Sequence, residues 1–487
     1  MNILFRIHLL YASFYQDRSF FARYTHFYSL SVAECFSFLY TGRSEPCFLS
    51  GSYSIQNYGR EIMNFTKDKL FDIFKEGIWK CIARIGILVR WIVLAGATGV
   101  VLGLIGGAFA RCITTVTGFR AAHPWMLYLL PIAGLAIVAM YQLDPSRSGT
   151  NRILEGISGG KYVPLRMAPL IMISTILTHA FGGSAGREGA ALQLGGSIGG
   201  TLGKWIKMDE YDQKIMIMCG MSAAFSALFG TPLTATIFSM EVVSVGIMQY
   251  AALVPCSIAA LTAKEMAILV GAEGEHFTIP SNIPLDVRNI TLVIILALLC
   301  AAVSILFCSI LHRTEHLYQR HVPNEWIRVV SGAFLIILLT KLLHTTDYLG
   351  AGMNIITNAI SGEVVPTAFL MKIIFTAITL GCGFKGGEIV PTLFVGATFG
   401  CIFGQLTGFS PSLAAACGMV SVFCGVTNCP ISSLFLSFEL FGFDCMPFFL
   451  LSIGIGYLES GYFGLYHSQK ILYSKTKRQF INTRTKE

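Results

Sequence analysis

FGGSAGREGAALQLGGSIGG, residues 181–200, sets an arginine and a glutamate side by side among glycines, directly after the apolar run LIMISTILTHA. Ionisable groups at membrane depth are costly and normally line a pathway or pair with one another. Arg187 and Glu188 stand at the start of a small-residue helix, AALQLGGSIGGTLG. A helix N-terminus in low dielectric presents unpaired N–H groups and a positive dipole end, and glycine lets a ligand approach that backbone closely. Such a turn is an anion site built from amides. A carboxylate beside it can occupy the site itself, or leave on protonation. The plain alternatives are a loop outside the bilayer and a static ion pair.

The surrounding chain is built for a membrane. Its 487 residues are 54% hydrophobic and 13% charged, with mean hydropathy +0.64. A soluble domain carries about 25% charged residues, so the deficit decides the class: an all-α polytopic membrane protein. Apolar segments of spanning length, about 17–25 residues, recur along the chain. The clearest are ILVRWIVLAGATGVVLGLIGGAFA, ITLVIILALLCAAVSILFCSIL and VVSGAFLIILLTKLL. The 49 glycines suit close helix contacts and broken helices.

The net charge of +8 comes from basic residues that cluster at the two ends, among them Lys67, Lys69, Lys75, Lys80, Lys470, Lys475, Lys477 and Arg478. Both termini therefore read as cytoplasmic, on a multi-pass protein of the cell inner (plasma) membrane. Short basic flanks of this kind do not form a nucleic-acid face. The 14 cysteines are scattered, mostly in apolar segments, and show no metal-ligand spacing. No metal and no cofactor is expected.

Met63 begins MNFTKDKLFDIFKEGIWKCIARIG, read as a cytoplasmic amphipathic helix over 63–84. Residues 1–62 are rich in Phe and Tyr but lack a defined signal-peptide core and cleavage site. They are expected to be a non-native upstream extension or disordered.

The chain then contains itself twice. SGTNRILEGISGGKYVP (148–164) resembles AGMNIITNAISGEVVP (351–366), and GGSAGREGAALQLGG (182–196) resembles CGFKGGEIVPTLFVG (382–396). TPLTATIFSMEVV (231–243) likewise resembles CPISSLFLSFELF (429–441). The expected organisation is a first repeat over 85–273, a loop over 274–288, a second repeat over 289–467 and a basic tail over 468–487. In this alignment Glu188 and Glu388 fall at matching places. Duplication with glycine-interrupted apolar segments points to a transporter fold, whose site lies where broken helices of both repeats meet. An inverted pair would bring the two glycine-rich turns together from opposite sides.

GREG after FGGSA, GGEIVP in the second half and the duplication together resemble the chloride-channel (CLC) family of anion channels and proton-coupled anion transporters. The resemblance implies a CLC-type inverted repeat of two halves with broken and re-entrant helices, assembled as a homodimer in the lipid bilayer. It gives Glu188 the role of external gate and proton carrier. It places backbone amides of the second turn, including Gly387, Ile389 and Val390, towards the anion, with Gly186, Arg187 and Gly189 contributing from the first. A tyrosine near the last helix lines the inner anion site; Tyr466 is the match, with Tyr473 the other option.

The departures from the family pattern point to one clade. Where ordinary members carry GSGIP, with a chloride-touching serine, this chain has SGTNR, so Gly149, Thr150 and Asn151 stand at that site. Glu388 replaces an apolar residue of the second signature. Val242 stands where chloride/proton exchangers keep an internal glutamate. This is the pattern of the fluoride-exporting clade, which implies fluoride/proton antiport that confers fluoride resistance. A chloride/proton antiporter or a voltage-gated-type chloride channel is the alternative, with fluoride or chloride and protons as partners. An intramembrane enzyme would need a nucleophile with a base, or a metal set such as H-E-x-x-H, and the chain offers neither.

Glu388 reads as a proton carrier or as a structural partner of Lys385. Asn151 and Asn354 read as anion donors or helix caps. Phe384 and Phe394 read as path-lining or packing groups, and His179 as a buried structural histidine or a proton carrier. Glu241 and Glu439 read as structural helix-end groups. Arg187 either holds its turn together or sets the field that draws the anion in.

Overall fold

The computed structural model describes residues 54–142, 149–160, 163–272, 274–280 and 283–486, with side chains from residue 74. Most of the segment 1–62, including everything before residue 54, lies outside the described residues. Two units divide the chain at Arg84 and Ile85, and the functional architecture belongs to the second, Ile85–Glu487.

Among the described residues the chain forms sixteen α-helices. The first half holds α1 (Ser54–Ala122), α2 (Leu130–Gln142), α3 (Thr150–Gly159), α4 (Met167–Ala180), α5 (Glu188–Trp205), α6 (Glu210–Phe229), α7 (Pro232–Glu241) and α8 (Leu253–Leu269). The second holds α9 (Val287–His321), α10 (Glu325–Leu343), α11 (Met353–Ile360), α12 (Ala368–Gly381), α13 (Ile389–Thr407), α14 (Pro411–Thr427), α15 (Pro430–Phe441) and α16 (Met446–Glu459). Among the described residues six helical segments are long and apolar enough to cross a bilayer. Others, such as α3, α7 and α11, have 10, 10 and 8 residues and are too short to span alone. Residues 63–84, expected as a helix leading into the first span, lie within α1.

Local sequence explains the boundaries. Proline at the first position opens α7, α14 and α15, where its missing N–H costs nothing. Asp209, Asp286 and Asn324 cap α6, α9 and α10 by accepting from backbone N–H groups. Small residues then set the tightest packing. Gly195 and Gly199 of α5 lie directly against Gly220 of α6, and Gly396 and Gly400 of α13 lie against Gly418 and Ala414 of α14. No β-carbon fits at these four α5 and α13 glycines, which is the GxxxG logic of membrane helix pairs used at corresponding places in the two repeats.

The two halves meet through reciprocal contacts, as a pseudo-two-fold axis requires. Glu241, at the end of α7, accepts from Ile431 N, Ser432 N and Ser432 Oγ at the start of α15 (3.1, 2.8 and 2.5 Å). Glu439 in α15 accepts from Leu233 N, Thr234 N and Thr234 Oγ1 at the start of α7 (2.9, 2.8 and 2.7 Å). Each carboxylate caps the other repeat's helix. Removing either by Glu241→Ala or Glu439→Ala should lower stability by about 1–2 kcal/mol. Thermal unfolding in detergent reads the loss, and anion preference should not change.

A three-stranded sheet departs from the all-helical pattern. β1 (Ser244–Val245) pairs in parallel with β2 (Lys470–Tyr473), which pairs antiparallel with β3 (Phe480–Arg484). The segment expected as a basic tail is thus folded back on the membrane core.

Candidate anion and proton site

The two glycine-rich turns form a septum. Gly186 N donates to Gly387 O and Gly387 N donates to Gly186 O, each at 2.7 Å, as one antiparallel bridge. A β-carbon on Gly387 would collide with the Gly189 backbone, so the bridge closes only on glycine. The amides of Gly186 and Gly387 are therefore spent on each other. This corrects the expectation that they face an anion. The free donors lie one step further on, in the first turns of α5 and α13, where Gly189, Ile389 and Val390 have N–H groups without an intrahelical acceptor.

The bridge also corrects the alignment of the repeats. Gly182 and Gly383 both take positive φ (+92° and +116°). Gly183 N bonds Thr178 O and Phe384 N bonds Thr379 O. The same offset pairs Gly186 with Gly387 and Arg187 with Glu388, each the N-cap of its helix. Glu188 is equivalent to Ile389, not to Glu388. Aligning on the shared glutamate puts the register one residue out, because backbone conformation, and not side-chain identity, defines this turn.

A cavity opens on each side of the septum, and the two share no lining residue. The first, of about 460 Å³, is lined by Arg120, His179, Arg187, Glu188, Asn354 and Val390 among others. The second, of about 300 Å³, is lined by Gly149, Thr150, Asn151, Gln193, Glu388 and Tyr466 among others. The pseudo-two-fold exchanges them: Arg187 in one answers to Glu388 in the other, and His179 to Leu380. Gly352, the N-cap of α11, answers to Gly149, the N-cap of α3. The first is named the outer cavity and the second the inner.

In the outer cavity Glu188 is buried, and its carboxylate turns back onto its own helix start. Arg187 N donates to Oε2 at 3.0 Å and Arg187 Nε to Oε1 at 3.3 Å. Arg187 reaches Glu275 at 3.6 Å with its other arm. The guanidinium thus bridges two carboxylates at the turn.

In the inner cavity the Glu388 side chain lies beside Gly189, with Oε2 3.1 Å from where a β-carbon on that glycine would sit. That oxygen is enclosed and has no hydrogen-bond partner among the described residues. Lys385 lies over the Tyr141 ring at 4.7 Å, and no ion pair joins it to Glu388 among the described residues. Tyr466 is 1% exposed and its hydroxyl is likewise unpartnered, whereas Tyr473 lies in β2, 43% exposed. Phe384 lines the inner cavity. Phe394 packs under Lys372 Nζ, 5.1 Å from the ring centroid, and against Gly352.

Neither asparagine caps a helix. Asn151 and Asn354 lie inside α3 and α11, whose N-caps are Gly149 and Gly352 without side-chain bonds. Asn151 Oδ1 accepts from Ser468 N at 3.0 Å and so holds the turn that carries Tyr466. Gln193 was not singled out by sequence, although it is the one polar side chain of its kind in AALQLGG. Its Nε2 donates to Thr150 Oγ1 at 3.2 Å and it lines the inner cavity. Val242 is buried, and the neighbouring Glu241 is committed to the α15 cap.

Comparison with known proteins agrees with this architecture. The family described as "Voltage gated chloride channel" matches residues 133–461. A "Chloride/fluoride channel protein" from Pseudomonas syringae pv. tomato is 33% identical over 400 residues, covering 80% of this chain and 88% of the relative. An "H(+)/Cl(-) exchange transporter" from Yersinia pestis bv. Antiqua is 24% identical over 390 residues, covering 72% and 80%. Among solved structures, a "CLC-type fluoride/proton antiporter" superposes with a TM-score of 0.76 at 32% identity, covering 78% of this chain and 98% of that one. A "slow cyanobacterial Cl-/H+ antiporter" shares the fold at a TM-score of 0.66 and 20% identity, covering 76% and 94%.

Proposed function

Since the chain belongs to the voltage-gated chloride channel (CLC) family, we propose that it exports fluoride across the membrane in exchange for protons. The observation that carries this reading is the septum itself: two helix starts joined back to back, with one carboxyl on each side facing a separate cavity. The similarity to a fluoride/proton antiporter and to a chloride/fluoride channel protein supports the choice of ion.

Fluoride is the smallest halide and the strongest hydrogen-bond acceptor among them, so it needs dense donors in place of its water. The amides of Gly189, Ile389 and Val390, the Tyr466 hydroxyl and a protonated Glu388 provide them. Donors to an ionised acceptor make the stronger class of hydrogen bond. Glu188 acts as the gate. Ionised, it occupies the outer end of the site through its bonds from Arg187; protonated, it loses that attraction and swings into the outer cavity. Glu388 carries the proton on the inner side, where Val242 offers no relay.

The same reading makes residues 85–273 and 289–467 the two repeats, joined by 274–288. Residues 63–84 lead in and 468–487 close the inner face. Both termini lie on the cytoplasmic side of the cell inner membrane, and the protein is a homodimeric transporter. Anion efflux from proteoliposomes, fluoride against chloride with an internal pH dye, tests the proposal. Fluoride efflux should exceed chloride efflux and acidify the lumen. Equal chloride efflux would return the chain to the chloride carriers of the family, and fluoride efflux without acidification would make it a channel.

A further inference from the structure

We propose that His179 is the outer proton relay of the exchange, passing protons between the outer solution and Glu188. This rests on the antiport reading above. His179 lies in α4, is 1% exposed, and lines the outer cavity together with Glu188. Its Nδ1 lies 2.9 Å from Thr175 O. A carbonyl only accepts, so Nδ1 carries the hydrogen and the tautomer is fixed. Nε2 is then left with its lone pair. It is buried and meets no partner among the described residues.

A buried acceptor without a donor is costly unless something donates to it for part of the working cycle. In the cavity such a donor is water or hydronium from the outer solution, or the protonated Glu188 carboxyl, which is not bonded to Nε2 in this structure and reaches it only when the gate moves. The charged groups around the ring are Arg120 from α1, whose Nη1 donates to His179 O at 2.7 Å, Arg187 from the septum turn and Lys372 from α12; all three are cations and oppose a lasting positive charge on the buried ring, so the imidazolium is a transient carrier that must hand its proton on. Glu188, Glu275 and Asp347 are the carboxylates that line the same cavity.

The step balances without any redox partner. Hydronium gives its proton to Nε2 and leaves as water, while Nδ1 keeps its own proton on Thr175 O. The Nε2–H bond then breaks as the Glu188 O–H bond forms, restoring the neutral ring. Each transfer runs in reverse when protons leave. His179 is in this sense the partner of a mobile gate, while Leu380, its counterpart across the pseudo-two-fold, has no such chemistry to offer.

His179→Asn tests the role, because an Asn amide can stand in for Nδ1–H on Thr175 O while removing the acceptor at Nε2. Coupled fluoride efflux and proton uptake are measured in proteoliposomes across a range of outer pH. H179N should slow coupled turnover at least ~10-fold and flatten its dependence on outer pH, with thermal stability close to wild type. Wild-type turnover and pH profile in H179N would overturn the proposal. If H179N fails to fold, H179Q serves: its side-chain oxygen accepts at the Nε2 place but cannot carry a proton, so a slow, pH-flat transporter is expected and wild-type behaviour overturns the relay. A wild-type protein that moves fluoride without protons removes the antiport reading and this role with it. Proton coupling intact in the wild type and in H179N removes only the relay.

Discussion

Glu188→Gln is expected to bring proton uptake down to the background of empty vesicles, a fall of ~100-fold or more. Two properties of the carboxylate are lost together. As an anion it accepts from Arg187 N and Nε with separate oxygens, and so it can stand in for a halide at the start of α5. As a titratable acid it can give up that position on protonation. Glutamine has a single acceptor oxygen and no proton to exchange, so it keeps the shape and loses the cycle. Fluoride movement that survives in Glu188→Gln should be uncoupled from pH. Lumenal acidification at the wild-type rate would take the gate away from this residue. Because Arg187 also holds Glu275, the turn retains one ion pair in the variant, and protein yield and unfolding temperature should change little.

Glu388→Gln should be nearly as damaging to transport, by a different route. Its enclosed Oε2 has no partner among the described residues, so folding gains little from the charge. Amide for carboxyl at this place should change stability by at most about 1–3 kcal/mol. Turnover should fall ~100-fold, since the inner side loses its only proposed proton carrier. Parallel measurement of thermal stability and of fluoride-driven proton uptake separates the two effects. A variant that unfolds early but turns over normally once folded would make Glu388 a packing residue.

Much of this architecture is legible in the chain. Composition fixes the membrane class, and the spaced repeats of Gly-x-Asn, Ile-Ser-Gly and Val-Pro reveal the duplication before any coordinate is known. The proline-led helices ending in Glu241 and Glu439 also show, because a proline start and a glutamate end are strong punctuation in apolar sequence. Tyr466 is separable from Tyr473 only by burial. The register of the septum is illegible by nature. It is set by two positive-φ glycines and a pair of backbone hydrogen bonds, and a text alignment is drawn instead to the two glutamates. The same bonds explain why Gly186 and Gly387 cannot donate to an anion although their sequence context resembles a loop that would. Asn151 misleads for another reason. Its partner is Ser468, some three hundred residues away in sequence, and no local rule can anticipate so distant a contact.

The folded-back end of the chain has a bearing on how the protein is made. Tyr466 O accepts from Gln469 N at 2.9 Å and from Thr485 Oγ1 at 2.7 Å. Lys475 Nζ ties the same segment to Asn428 Oδ1, Tyr457 O and Ser460 Oγ. Synthesis proceeds from the N-terminus and earlier parts fold first, so the helices from α1 to α16 can be inserted before these residues leave the ribosome. The wall of the inner cavity that Tyr466 supplies is therefore completed only after α16 has emerged. A nascent chain halted after α16 would lack Tyr466 and the segment that holds it, and the cavity those residues line would be left unfinished.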